Sequence, residues 1–173
     1  MGARYGHTVS FLPGVRPEHL IKWTGLAHEG PLMAFNPILA PLLAMVFLTF
    51  GVWIYLFAVR IPEIKLKKIP PDDLRDRAEA HKILTASAAA SNNLKNLFEM
   101  PILFYVAAML IVLLLIQDAL LVRLAWGFVI LRAIHSIVHC TYNRVMHRFI
   151  VYFISCIFLL LMWIRLASYL LVN

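Results

Sequence analysis

The feature that most constrains this chain is a stretch of 24 residues without a charge, residues 36–59 (NPILAPLLAMVFLTFGVWIYLFAV). At about 1.5 Å per residue, a helix of that length reaches about 36 Å, enough to cross the hydrocarbon core of a bilayer with some tilt. Pro37 and Pro41 fall in its first turns, where proline is tolerated. The stretch therefore predicts a first transmembrane helix.

Three further apolar stretches have the length of a membrane span: 97–116, 119–138 and 149–172. The short connections between them favour antiparallel packing of sequential helices. We therefore predict an all-α integral membrane protein, a four-helix up-and-down bundle. The composition agrees, because the 173 residues are 62% hydrophobic and 14% charged, against about 45–50% and about 25% in soluble domains. An ordinary soluble domain, a disordered tail and a disulfide-stapled secreted module are excluded.

The basic residues indicate an orientation in the membrane. The net charge is +7, and the most charged connection, 60–82, follows the first span. Since Lys and Arg accumulate on the cytoplasmic side, this connection is predicted to be cytoplasmic and both termini outside. Because the charge flanks apolar spans, nucleic acid is not expected as a partner. After Pro70-Pro71, we expect a helix from Asp72 that continues to Pro101.

The chain divides into a polar, partly ordered extramembrane head, residues 1–34, and a membrane domain, residues 35–173. The head lacks the continuous apolar segment of a cleavable signal peptide. Cys140 and Cys156 lie in or beside apolar stretches and form neither a metal-ligand spacing nor a disulfide framework. We expect them to be small buried residues, and no metal site is predicted.

Polar residues inside the spans are costly, at about 2.5–3.5 kcal/mol for each ionised group, and they usually face the bundle interior. On the second helix, Asn92, Asn96 and Glu99 share one face at i, i+4 and i+7. Glu99 is either a structural ion pair or a carboxylate that faces a ligand. On the third helix, Arg132 is the expected counter-ion of Glu99.

Two more sets lie at the same end of the predicted bundle. Arg132 shares a face with His135 and His139. His135 is either a hydrogen-bonded structural residue or part of a site, whereas His139, nearer the loop, is expected to be solvated. Arg144, Arg148 and Tyr152 follow at i, i+4 and i+8 and would suit either an anionic ligand or headgroup anchoring. Arg165, near the outer end, can snorkel to the surface and is assigned no chemistry. The three inner sets together predict a polar pocket at the cytoplasmic face.

Two motifs resemble those of a known family. The segment 92–105 (NNLKNLFEMPILFY) contains Asn-x-x-Glu followed by proline and an apolar stretch, and the segment 132–152 contains Arg-x-x-His and then Arg144, Arg148 and Tyr152. Over residues 36–172 the chain resembles the MAPEG superfamily, the membrane-associated proteins in eicosanoid and glutathione metabolism, and is most similar to its bacterial branch. The resemblance implies a homotrimer in the bacterial inner membrane, with glutathione sites between subunits that open toward the cytoplasm.

The resemblance also implies residue roles. Asn96, Glu99, Arg132, His135 and Arg144 match positions that bind glutathione, which is the implied cosubstrate. Arg148 matches the arginine near the glutathione thiol and Tyr152 a tyrosine one turn further on, so these two are the implied catalytic residues. The chemistry is compatible, because a guanidinium favours the ionised form of a thiol whose free pKa is about 8.5. The lipophilic cosubstrate would arrive from the membrane lipid.

The chain departs from the family pattern at two positions. Asn92 stands where the enzymes often have an arginine, and His139 where a tyrosine is common, while Lys95 keeps a basic residue before the motif asparagine. Two hypotheses follow. The first is a glutathione-dependent transferase or peroxidase that acts on lipophilic electrophiles or lipid hydroperoxides. The second is a non-catalytic scaffold or accessory subunit that binds a lipid or a larger membrane complex. An ion pathway is disfavoured because no polar file crosses the outer half of the bundle.

Overall fold

The structure is a computed structural model that describes residues 36–172, and all regular structure in that range is helical. The predicted head, residues 1–34, lies outside the described residues. The elements are α1 (Leu39–Lys67), a 3₁₀ turn (Pro71–Leu74), α2 (Arg77–Ile83), α3 (Ala88–Asn96), α4 (Met100–Leu113), α5 (Ala119–Cys140) and α6 (Val145–Val172).

Four helical segments are long and apolar enough to cross a membrane, and α3 and α4 together form one of them. The predicted four-helix membrane bundle is confirmed. The helices extend beyond the predicted spans: α1 continues to Lys67 and α6 begins at Val145. Helix α5 packs most extensively against α6, and α1 packs against α3, α4 and α5. The connections 68–87 and 141–144 lie at one end of the bundle, called the polar end below. The turn at Gln117-Asp118 lies at the other.

The bundle core depends on aromatic rings and one glycine. Phe104 of α4 stacks on Phe128 of α5 with ring centroids 5.0 Å apart, and both rings are fully buried. A Cβ at Gly127 would lie 2.3 Å from the ring of Phe158 on α6. The absence of a side chain at Gly127 therefore permits the close approach of α5 and α6.

The predicted continuous helix from Asp72 to Pro101 is wrong, because the chain breaks at 84–87 and again at 97–99. The first break is stabilised by a side chain from α1. Glu63 is only 5% exposed, and its carboxylate accepts hydrogen bonds from the backbone N–H groups of Ala86 (2.8 Å) and Ser87 (2.9 Å). Ser87 is the N-cap of α3, so Glu63 satisfies amides that an isolated helix would leave unpaired at its start.

Lys67 completes this connection. Its Nζ donates to Glu63 Oε1 at 2.7 Å, to the carbonyl of Ile83 at 2.7 Å and to Thr85 Oγ1 at 3.1 Å. One ion pair on α1 thus binds both the last residue of α2 and the residues that lead into α3, up to its N-cap Ser87. These contacts between residues distant in the sequence explain why α2 ends where the local sequence contains no helix breaker.

The second break has a local cause and a tertiary one. Pro101 is the second residue of α4 and lacks the N–H that a continuing helix would need. The Arg132 guanidinium donates to the carbonyl of Asn96, the last residue of α3. The Asn96 carbonyl, which would lack a partner within α3, therefore accepts a hydrogen bond from a side chain of α5.

At the opposite end, Asp118 joins α5 to α6. Its Oδ1 accepts from the N–H groups of Leu120 (2.6 Å) and Leu121 (3.3 Å), and its Oδ2 accepts from Arg165 Nε (2.9 Å) and the Tyr169 hydroxyl (2.8 Å). Burial opposes ionisation, but these donors outweigh it and lower the pKa of Asp118 to about 2. Arg165, predicted only to snorkel, is thus an ion-pair partner.

Replacement of Glu63 by alanine is expected to destabilise the bundle by about 3 kcal/mol, because a buried charged group with several hydrogen bonds is removed and its partners are left unpaired. Thermal unfolding of the detergent-solubilised protein would measure the change. The matched control is Glu79→Ala, which removes an exposed carboxylate paired with Lys82 at 2.8 Å and should cost less than about 1 kcal/mol. Equal losses in the two variants would contradict the capping role of Glu63.

Candidate functional site

Polar side chains from three helices meet inside the polar end of the bundle. We call this group the polar cluster, and its members are Asn93 of α3, Arg132, His135, Ser136 and His139 of α5, and Tyr152 of α6. All are buried except Tyr152, which is half-buried. The cluster is the most polar part of the described core.

Arg132 is the centre of the polar cluster. It is 0% exposed, and its guanidinium carbon lies 5.1 Å from the centroid of the Tyr152 ring, in cation–π contact. One Nη donates to the Asn96 carbonyl, whereas Nε and the other Nη are buried without a hydrogen-bond partner among the described residues. A buried guanidinium with unsatisfied donors is energetically unfavourable and invites a functional explanation.

Two stacked histidines line the cluster beside Arg132. The rings of His135 and His139 are 5.6 Å apart and nearly parallel, and the Tyr152 ring lies 5.6 Å from His135. His135 Nδ1 lies 3.1 Å from the Arg148 carbonyl. Since a carbonyl can only accept, Nδ1 carries the proton in this bond. The predicted solvation of His139 is wrong, because its ring is 2% exposed.

Arg148 lies in the first turn of α6, whereas Arg144 immediately precedes that helix, and the two occupy different positions. Arg148 is half-buried, its carbonyl is held by His135, and its Nη1 donates to Asn143 Oδ1 at 2.9 Å. Asn143 has a φ of 48°, a left-handed conformation that asparagine tolerates. The Arg148 guanidinium is thereby held toward the 141–144 connection. Arg144 is exposed at the surface of that connection.

The polar residues predicted to share a face in the second membrane helix are arranged differently from the prediction. Glu99 is exposed and forms no ion pair with Arg132, so the predicted pair is wrong. The break at 97–99 takes Glu99 out of the helical register of α3. The side chain of Asn92 instead lies 3.4 Å from His81 Nε2, and Asn96 enters the site through its carbonyl.

Asn93 is the polar-cluster residue that sequence spacing missed. It is fully buried, its Oδ1 accepts from Ser136 Oγ at 3.3 Å, and its Nδ2 lies 3.4 Å from Cys140 Sγ. Asn93 lies three residues before Asn96, so both share a face of α3. The sequence prediction placed Asn92, and not Asn93, on the polar face because it assumed one unbroken helix as far as Glu99.

The structure thus brings together Arg132, His135 and Tyr152, with the backbone of Asn96 and Arg148. It leaves Glu99 and Arg144 at the surface. In the described residues, no group of three or more His, Cys, Asp or Glu side chains is placed to hold a metal ion. A buried cation, a neutral imidazole and a phenol, with further arginines at the rim, suit a small anionic ligand with a polar reactive group.

Comparison with known proteins supports the motif assignment. The model of the MAPEG family matches residues 38–168, which include most or all of each of the four spans and every predicted site residue. No curated protein and no solved structure matches the chain.

Replacement of Arg132 by methionine should leave the melting temperature unchanged or raise it. Burial of a cation with unsatisfied donors is costly, and its replacement by an apolar side chain of similar length removes that cost while losing one hydrogen bond. Arg123→Met, at the exposed opposite part of α5, is the control and should change stability by less than about 0.5 kcal/mol. A large loss of stability in the Arg132 variant would identify Arg132 as structural rather than functional.

Proposed function

The chain belongs to the MAPEG family, and from that premise we propose that it is a glutathione-dependent transferase or peroxidase that acts on lipophilic substrates. It is an integral membrane protein of that family, which contains such enzymes and also non-catalytic members. The observation that carries the proposal is the buried Arg132 guanidinium, which contacts Tyr152 and keeps two donor groups without a protein partner. A buried charge that lowers the stability of a membrane protein usually has a functional role, such as ligand binding.

The charges around the polar cluster fit glutathione, which has two carboxylates, one ammonium group and a thiol. Arg144 is an exposed cation near the rim that can bind a carboxylate, and Glu99 is an exposed carboxylate that can bind the ammonium group. Arg132 and His135 supply the polar inner wall. These four residues, with the Asn96 carbonyl held by Arg132, are the proposed binding set.

Bound glutathione supplies a thiol, and the chain would activate it through Arg148 and Tyr152. A guanidinium close to the sulfur favours its ionised form. For this role Arg148 exchanges its present bond to Asn143 for the ligand, while the bond from His135 to its carbonyl keeps its backbone in place. The Tyr152 hydroxyl can donate to the sulfur or to the second substrate, and Arg132 holds the tyrosine ring by cation–π contact.

The second substrate would reach Tyr152 from the lipid. Phe149 and Phe153 precede and follow it on α6, are exposed on the protomer and stack with ring centroids 6.0 Å apart. They form an apolar surface beside the polar cluster. We further propose a homotrimer with the site between subunits. In our proposal, the polar end faces the cytoplasm, both termini lie outside and the membrane is a bacterial inner membrane.

Glutathione should bind saturably to the purified protein and produce the ultraviolet absorbance of a thiolate. Calorimetry and difference absorbance measure the two signals. Arg148→Ala should abolish the thiolate absorbance because the cation nearest the sulfur is lost, whereas Arg123→Ala, far from the site, should leave it unchanged. Persistence of the absorbance in Arg148→Ala would exclude the assigned role of Arg148. The absence of binding to the wild-type protein at cellular thiol concentrations would exclude the enzyme proposal.

A second candidate function is a non-catalytic scaffold or accessory subunit that binds a lipid or a larger membrane complex. The hydrogen bond between Asn92 and His81 favours it, because a neutral side chain tied to α2 stands where glutathione-binding relatives often have an arginine. On this hypothesis the polar cluster stabilises helix contacts, and residues 1–34 contact the partner.

The scaffold hypothesis predicts that deletion of residues 1–34 removes a partner complex from the purified protein while the membrane domain keeps its melting temperature. Quantitative comparison of proteins that co-purify with the full chain and with the truncated chain provides the measurement. Equal recovery of the partner with both forms would count against a role for the head.

A further inference from the structure

A cavity of about 600 Å³ lies at the polar end between α1, α2 and α3. The membrane-spanning part of α1 contributes Trp53, Leu56 and Phe57 to its wall, and Arg60 lies one turn further along. The short helix α2 and the connection after it cover the cavity with Ala80, His81 and Leu84. The proposed glutathione-binding function does not require this cavity.

Helix α3 separates the cavity from the polar cluster. Asn93 of α3 points toward α5, where it contacts Ser136 and Cys140. Ser91, Lys95 and Phe98 line the cavity. Ser91 and Lys95 are one helical turn apart and lie on a different face of α3 from Asn93, and Phe98 follows in the break at 97–99. The two regions are therefore distinct, although both depend on the position of α3.

The polar lining of the cavity is basic. Arg60 and Lys95 line it together with His81, and none of the described lining residues is acidic. Arg60 is half-buried, and its Nε is enclosed without a hydrogen-bond partner among the described residues. An enclosed guanidinium whose Nε is unsatisfied is complementary to an anion.

The remaining lining is apolar and aromatic. Trp53 and Phe57 pack edge to face with ring centroids 5.0 Å apart, and they lie two turns and one turn before Arg60, respectively, toward the membrane interior. Arg60 is the first charge after the uncharged stretch 36–59, so it marks the boundary between the hydrocarbon core and the polar headgroup region. The cavity therefore combines cations at headgroup depth with an apolar wall toward the acyl chains.

We propose that this cavity binds an anionic membrane lipid, with the headgroup phosphate at Arg60 and Lys95 and the first part of an acyl chain against Trp53, Phe57 and Phe98. The apolar wall favours a lipid over a free anion, because a soluble phosphate would leave the aromatic surface without a partner. The bound lipid also offers an acceptor to the Arg60 Nε that the described protein does not satisfy.

Quenching of Trp53 fluorescence by brominated lipids tests this assignment. Trp23→Phe, Trp126→Phe and Trp163→Phe leave Trp53 as the single tryptophan, and this background must first keep the wild-type melting temperature. Brominated phosphatidylglycerol should quench Trp53 at lower lipid fractions than brominated phosphatidylcholine. Since each basic residue near an anionic surface contributes about fivefold in affinity, Arg60→Gln should reduce the preference about fivefold.

Two variants make the result specific. Arg60→Lys keeps the charge and should retain most of the preference, whereas Arg123→Gln, an exposed arginine on α5, should leave it unchanged. If Arg60→Gln fails to fold, Lys95→Gln replaces it, with the same expected reduction. Equal quenching by the two lipids, or an unchanged preference in a folded Arg60→Gln or Lys95→Gln variant, would overturn the proposal. Loss of the preference on addition of inorganic phosphate would identify a site for free anions and overturn the lipid assignment.

Discussion

The buried guanidinium of Arg132 is the contact around which the polar end of this bundle is arranged. It joins three helices, because it lies on α5, donates to the last carbonyl of α3 and contacts the Tyr152 ring of α6. An apolar core at this position would avoid the cost of burying a cation. The unsatisfied charge of Arg132 inside a membrane domain therefore supports the proposed ligand site, and the family membership of the chain agrees with that proposal.

The membrane architecture could be predicted from apolar length alone, since each span must cross about 30 Å of hydrocarbon. The breaks in the second span could not be fully predicted. Glu63 lies 24 residues from Ser87 in the sequence, and its role as a cap appears only when α1 packs beside α3. Local sequence signals identify Pro101, but they cannot show that a carboxylate on another helix ends α2 and starts α3.

The candidate site was likewise predictable only in part. Helical spacing correctly placed Arg132 and His135 on one buried face, and the proximity of Tyr152 followed from the antiparallel connection of α5 and α6. The prediction from helical spacing was wrong for Glu99, because it continued one helical face across a break that tertiary contacts create. Asn93 was missed for the same reason. Helical periodicity predicts which residues share a face only within one unbroken helix.

The short helix α3 connects the two regions to which we assign ligands. Its N-cap and the residue before it are held by Glu63 of α1 and its last carbonyl by Arg132 of α5, so two charged side chains from different helices determine its position. One face of α3 contributes Asn93 to the polar cluster and the other contributes Lys95 to the basic cavity. A shift of α3 toward either region would break hydrogen bonds to a buried charge, which is among the most costly losses in a protein interior. The same two ionised side chains therefore position both regions.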